Sequence, residues 1–393
     1  MANHKEPTLL RCARAVLLDR VIESPSLWIE QGKIKRIVET DERVDKSDSY
    51  DLPGVTLFPG FIDVHIHGAV GVDTTDASVD DLRRVSHFLA RHGITAWLPT
   101  LVPAATDVYR RAVDSISSLM LEDAETSSIQ ARALGVHYEG PFVSNQQCGA
   151  LHREHFRTYL TGKELDELPV IRNQKAVHFT TVAPEIEGGI QLVKELTRRG
   201  WITSIGHTRA DLAILDRALA AGARHMTHFM NAMPPLHHRS PGPVGWGLSR
   251  DDVTCDIIAD GVHLDPAMLR LLVKVKTSDR LALISDAIAA AGSGDGDYQI
   301  WGETISVTNG RTQNAQGSIA GSVISMLDAV RMMRSLGLSE VEVARMASTN
   351  PARLLGIDHE CGSIEEGKRA DLVGLDDDGK MRFSMVGGLG LRS

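Results

Sequence analysis

The sequence predicts an α/β protein, a (β/α)8 barrel of the TIM type with a small β unit assembled from both chain ends. Eight short apolar or β-branched runs recur through the middle of the chain, at 61–66, 94–101, 133–138, 176–182, 201–205, 225–230, 253–258 and 281–284. Most are separated by stretches of helical spacing. Leu82, Val85, Phe88 and Leu89 share one face of 79–91, and Leu212, Leu215 and Leu219 share one face of 211–221. Eight strand–helix units favour a closed barrel over an open doubly wound sheet. The ends differ: 8–58 and the chain beyond 359 read as short strands broken by turns. The expected division is 1–58 plus 359–393 for the small β unit and 59–358 for the barrel. One stretch interrupts the alternation. Residues 291–319, rich in Gly, Asp and Asn, are expected to form a β-hairpin inserted after the eighth strand, where barrel enzymes keep functional loops.

The 393 residues, 42% hydrophobic and 24% charged, have the proportions of a globular protein with a sizeable core. A net charge of −9, with no basic stretch, argues against a nucleic acid or an anionic membrane as partner. No apolar run approaches the roughly 18 residues of a membrane span. The polar N-terminus lacks the apolar centre of a signal peptide. Cys12, Cys148, Cys255 and Cys361 form no CxxC pair, and a reducing cytoplasm is the expected compartment. The sixteen histidines are more telling, because several lie in strand-like apolar runs.

The polar residues that end those runs carry the chemistry. The first closes as Phe61-Ile-Asp-Val-His65-Ile-His67-Gly68. Residues two apart on a strand face the same side, so both imidazoles can reach one metal ion. The bland alternative is a hydrogen-bonded core pair. The third run leads to Glu139, and a carboxylate is costly to bury unless it is paired or metal-bound. The fifth leads to His207, the sixth carries His225 and His228, and the eighth leads to Asp286. Singly, each could be a satisfied core histidine or a helix cap. Together they set two carboxylates and four imidazoles at the carboxyl ends of five strands, which in a barrel converge on one mouth. A divalent metal site follows, zinc or another transition ion suiting this donor set. His137 is expected one layer beneath Glu139 in a supporting role, His225 to face the helices, and Trp246 to pack or to line the mouth. The absence of GxSxG and HExxH removes elbow-type serine hydrolases and helix-borne zinc proteases.

These motifs resemble the amidohydrolase superfamily, and more closely the N-acetylglucosamine-6-phosphate deacetylases. The resemblance covers nearly the whole chain. It includes Gly135-Val-His-Tyr-Glu-Gly-Pro-Phe142, Gly206-His-Thr208, Thr227-His-Phe-Met-Asn-Ala-Met233 with Pro235-Leu-His-His-Arg239, Asp260-Gly-Val-His263, Ser285-Asp-Ala287 and Thr349-Asn-Pro-Ala352. It implies that Glu139, His207 and His228 hold one divalent metal, and that His65 and His67 with Glu139 hold a second where two are bound. Zinc stands first, with iron, manganese, cobalt or cadmium as alternatives and one or two ions per subunit. Asp286 is implied as general base and acid for a metal-activated hydroxide, and His263 as the contact to the acetamide. Asn231, Ala232, Arg239, Ala150 and Ile319 are implied as further substrate contacts. The implied reaction hydrolyses the acetamide of an amino-sugar phosphate, N-acetyl-D-glucosamine 6-phosphate. A homodimer is implied, its phosphate clamp supplied partly by the neighbouring subunit, and the small β unit becomes a β-sandwich.

Rival readings make different demands on the residues. A cyclic-amide hydrolase usually bridges two metals with a lysine at the end of strand four, and 176–183 contains none. A nucleobase deaminase would leave His237-His238-Arg239 unexplained. N-acetylgalactosamine 6-phosphate, which differs by one hydroxyl, stands as an alternative substrate. A catalytically inactive barrel serving as a binding module would be expected to have lost a ligand or Asp286, and this chain keeps them all.

Overall fold

The computed structural model describes residues 7–39, 49–122 and 128–392. Each of the eight runs becomes a strand: β1 (Phe61–Ile66), β2 (Ile94–Leu101), β3 (Gly135–Glu139), β4 (Val177–Val182), β5 (Ile202–Ile205), β6 (His225–Met226), β7 (Thr254–Ile258) and β8 (Leu281–Ile284). Each pairs in parallel with the next. Between β8 and β1 the ring closes at the carboxyl ends. The Asp286 N–H donates to the His65 carbonyl (2.9 Å), and the N–H groups of His67 and Gly68 donate to the Ala287 carbonyl (2.8 and 3.0 Å). Beneath this seam lies Asp63, fully buried. Its carboxylate accepts from the Ser285 hydroxyl (2.5 Å) and from the backbone N–H groups of Ser285 and His65 (both 3.3 Å).

The helices pack outside. α1 (Val79–Ala90) starts in a Ser78–Asp81 capping box, which satisfies two of its free N–H groups. α4 (Leu212–Ala221, in a count that places α2 at Thr106–Glu122 and α3 at Gly189–Arg198) is capped by Asp211 and stopped by the left-handed Gly222. Helical spacing predicted α1 and α4 to within a residue. The third unit departs from the alternation: between β3 and β4 the chain makes only the 3-10 turns Arg153–His155 and Lys163–Glu167. Ile62, Val64, Ala96, Leu98, Phe179, Ile258 and Ile284 meet from five strands, which only the barrel interior allows.

The expected hairpin after β8 has a third strand. Gly296–Ile300, Glu303–Thr308 and Arg311–Gln313 run antiparallel. Asn309 and Gly310, both at positive φ, form the second tight turn, a dipeptide strongly favoured there. The insert returns to where it began, with the Ser322 N–H donating to the Asp286 carbonyl (2.8 Å).

The chain ends build one eight-stranded sheet. Its path runs Leu389–Arg392, Met381–Val386, Leu372–Leu375, Ser49–Pro59, Thr8–Val16, Ser26–Glu30 and Lys33–Val38, with Val21–Glu23 beside Thr8–Val16. The expected β-sandwich is one continuous hydrogen-bonded sheet. The Ile34 N–H at one edge donates to the Lys368 carbonyl (2.9 Å), and Leu10, Leu27, Ile34, Leu57, Leu372 and Phe383 fill the fold. Among the described residues no helix is long and apolar enough to cross a membrane.

The 349–352 motif serves the barrel floor. The buried Asn350 amide donates to the carbonyls of Ser278 and Leu281, both at 2.7 Å, at the entry to β8. Asn350→Ala leaves both carbonyls buried without that donor. The expected loss is about 2–4 kcal/mol of unfolding free energy, read as a lowered urea midpoint at unchanged slope.

Candidate metal centre

β1, β3, β5, β6 and β8 deliver side chains to one point. His65 and His67 alternate along and just past β1, and Glu139 is the last residue of β3. His207, His228 and Asp286 each stand two residues beyond their strand, with φ of 46°, 30° and 49°. Left-handed backbone is rare outside glycine and costs roughly 1–2 kcal/mol per residue. Here it ends each strand sharply at the barrel rim. Gly68 is required where it stands, because a Cβ there would lie 1.9 Å from the Val72 carbonyl oxygen.

Glu139 is the hub. Its Oε1 lies 2.9 Å from Nε2 of both His207 and His228, and 3.6 Å from Nε2 of His65. Its Oε2 is 3.2 Å from Nε2 of His67. Asp286 Oδ1 lies 3.3 Å from His67 Nε2 and 3.5 Å from His65 Nε2. Two buried triads with metal-ligand donors result, His65–His67–Glu139 and Glu139–His207–His228, sharing the glutamate.

The surroundings fix the rings. His207 Nδ1–H donates to the Gln147 carbonyl (2.8 Å), leaving Nε2 for the centre. The His228 N–H donates to Asp256, whose other oxygen accepts from His225 Nε2 (3.0 Å). Burial alone would push Glu139 up, yet His65, His207, His228 and His67 hold its carboxyl well below the usual carboxylate range. Burial likewise disfavours charge on His67 and His228, but Asp286 and Glu139 beside His67, and Glu139 beside His228, push them up to about 10 and about 9. The two carboxylates therefore call for positive charge. Imidazole nitrogens and carboxylate oxygens are donors suited to a divalent transition ion, so the residues fit such a cofactor.

None of the remaining expected residues belongs to either triad. His263 is half-buried, and its Nδ1–H donates to Asp260 (2.6 Å). Asn231 and Ala232 follow His228 in a turn closed by the Asn231 N–H on the His228 carbonyl (2.8 Å), and the buried Asn231 Nδ2 has no partner among the described residues. Ala150 follows Gly149, which faces the His207 ring, and packs on the insert. Ile319, half-buried, lies on the return of the insert, two residues before Gly321, where a Cβ would come within 2.9 Å of the Asp286 carbonyl oxygen. Arg239 stands on an exposed loop, its guanidinium donating to His238 (2.9 Å).

His137 lies beneath the centre: its nitrogens meet Thr181 (2.8 Å) and Thr100 (3.3 Å), and its ring abuts His65. Trp246 packs outside, donating to Asp216 on α4 (2.8 Å). His225 corrects the expectation. Its ring abuts Phe179 on β4 and bonds Asp256 on β7, so it faces the barrel interior. β6 is only two residues long, too short for alternation to assign a face. Sequence reasoning missed Asp63, Asp256 and Trp301. The two aspartates carried the signal used for Glu139, a carboxylate inside an apolar strand. Trp301, at the tip of the insert with its ring 5.3 Å from that of His67, carried none.

Comparison with known proteins fits this geometry. The model of the amidohydrolase family matches residues 56–389. The N-acetylglucosamine-6-phosphate deacetylase of Bacillus subtilis (strain 168) is 36% identical over 376 residues, covering 95% of this chain and 94% of that one. The N-acetylgalactosamine-6-phosphate deacetylase of Escherichia coli O157:H7 is 36% identical over 369 residues, covering 94% and 95%. Among solved structures, the N-acetylglucosamine-6-phosphate deacetylase of Thermotoga maritima superposes with a TM-score of 0.87 at 34% identity, over 98% of this chain and 100% of that one. A mutant Mycobacterium smegmatis enzyme, solved with N-acetyl-D-glucosamine-6-phosphate, gives 0.89 at 29%, over 99% and 100%.

The shared glutamate separates the two triads experimentally. Glu139→Ala is expected to reduce bound transition metal to background, whereas His67→Ala retains the ion at His207 and His228. Elemental analysis of the purified variants reads both outcomes.

Proposed function

The chain belongs to the amidohydrolase family, and we propose that it hydrolyses the acetamide of N-acetyl-D-glucosamine 6-phosphate to D-glucosamine 6-phosphate and acetate. The observation that carries this reading is the convergence of four imidazoles and two carboxylates at one barrel mouth. Glu139, His207 and His228 would hold one divalent ion, and His65 and His67 with Glu139 a second. Zinc is the ion we favour, with iron, manganese, cobalt or cadmium as alternatives. Such an ion, when bound, supplies Lewis acidity that brings the pKa of water towards about 7.

The chain's own groups do the rest. An amide is a poor electrophile, and its amine must leave protonated. Asp286, beside the His65–His67 pair, can take the proton of the attacking water and hand it to the departing sugar nitrogen. With Asp260 accepting from Nδ1, a protonated His263 presents Nε2–H to the amide oxygen as negative charge develops there. Losing one such donor typically costs about 10²–10³ in rate. Asn231, whose buried Nδ2 has no partner among the described residues, would contact the sugar phosphate together with Ala232, Ala150 and Ile319. Arg239, exposed beside His237 and His238, suits a phosphate because its planar fork donates to oxygens in pairs. We propose a homodimer whose neighbouring subunit completes this clamp. The barrel, 59–358, would carry the chemistry, and 1–58 with 359–393 the small β-sandwich. Four free cysteines support a reducing, cytoplasmic setting.

Three measurements test this. Acetate release from N-acetylglucosamine and N-acetylgalactosamine, each with and without the 6-phosphate, on protein of known metal content, is expected to be fastest for the phosphorylated glucosamine derivative. Asp286→Asn, with metal still bound, is expected to lose about 10²–10⁴-fold in kcat. Arg239→Ala is expected to raise KM for the phosphorylated sugar at least about tenfold while leaving that for the unphosphorylated sugar unchanged. An equal effect on both would remove Arg239 from the phosphate site.

A further inference from the structure

The first turn of the insert after β8 is the pair Trp301–Gly302, closed by the Ile300–Glu303 ladder pair. Both turn residues have positive φ, 54° and 75°. Two-residue turns of this kind favour Asn-Gly or Gly-Gly, because the left-handed backbone crowds a side chain. Tryptophan is a costly choice there, and a bulky residue held in such a conformation points to a use for its side chain.

That side chain reaches the mouth. Its ring stands nearly perpendicular to the His67 ring, 82° between planes. It packs both on the cluster of Val102, Val143 and Leu151, from the loops after β2 and β3, and on the insert's own cluster around Ile300 and Ile305. The indole Nε1 is buried and has no hydrogen-bond partner among the described residues. A buried N–H without an acceptor is unfavourable, and one beside a catalytic cluster gains its acceptor when an oxygen-bearing ligand enters.

We infer that Trp301 is a substrate-contacting residue: its indole closes the His67 side of the pocket, and its Nε1–H donates to an oxygen of the bound amino-sugar phosphate. The inference rests on the deacetylase reading above. A purely structural role, in which the ring only anchors the insert to the loops after β2 and β3, makes phenylalanine an adequate replacement.

Trp301→Phe keeps an aromatic body and removes the donor, and Trp301→Gly removes both while relieving the backbone, so that at least one variant folds. Steady-state acetate release from N-acetyl-D-glucosamine 6-phosphate is the first readout. The second is the change in tryptophan fluorescence when the same compound is added to metal-depleted protein. Trp301→Phe is expected to raise KM about 3- to 10-fold, the worth of one neutral hydrogen bond, with kcat within about twofold. Trp301→Gly is expected to raise KM further, and both variants are expected to lose most of the fluorescence change. Wild-type KM in Trp301→Phe would overturn the hydrogen bond, and wild-type KM in Trp301→Gly would remove the residue from the pocket. No acetate release by the wild-type chain would sink the deacetylase reading instead. In that event, an unaltered wild-type fluorescence spectrum on adding the sugar phosphate overturns the Trp301 contact as well.

Discussion

A carboxylate taken out of water must be answered by hydrogen bonds or by positive charge, and the upper half of this barrel is arranged around four of them. Asp63 is answered by the Ser285 hydroxyl and two backbone N–H groups, and its burial still pushes the carboxyl up to about 7. Asp256 is answered by His225 and the His228 N–H. Glu139 and Asp286 face imidazole nitrogens instead. Neutral imidazoles supply no net charge, and the upward push on His67 and His228 registers the deficit. A cation is the natural remedy. The fold completes the first two carboxylates, whereas Glu139 and Asp286 keep a charge deficit that a cation would meet.

The same groups close the barrel. Asp63 joins the strand that bears His65 to the residue preceding Asp286, and the His65 carbonyl accepts from the Asp286 N–H. Two of the centre's side chains are therefore held by the seam of the ring itself. Strain in the left-handed linkages at His207, His228 and Asp286 is tolerable because each lies between a buried strand and a hydrogen-bonded turn.

Much of this was legible without coordinates, for identifiable reasons. A parallel barrel strand is buried on both faces, so the eight apolar runs stood out, and the polar residues at their ends were conspicuous by contrast. His65, His67, Glu139, His207, His228 and Asp286 were visible for that reason. Periodicity failed where elements were too short to show any, as at β6, where His225 was assigned to the wrong face. It also failed where alternation lapsed, as between β3 and β4, where two short turns replace a helix. The third strand of the insert was signalled by Asn309-Gly310 and overlooked. Asp256, a carboxylate inside an apolar strand, offered the same contrast as Glu139 and was passed over, though nothing in the sequence says which strand its carboxylate will meet. Trp301 was invisible for a deeper reason: its neighbours are distant in the chain, and only the curl of the insert over the mouth brings it to His67.

The two triads share more than proximity. One oxygen of Glu139 faces His207, His228 and His65 while the other faces His67, so a single unit of negative charge serves both positions. Two ions held there would draw on that one charge and would repel one another at close range. Such a cage would load anticooperatively, and the stoichiometry of a preparation would then follow how much free metal surrounded it.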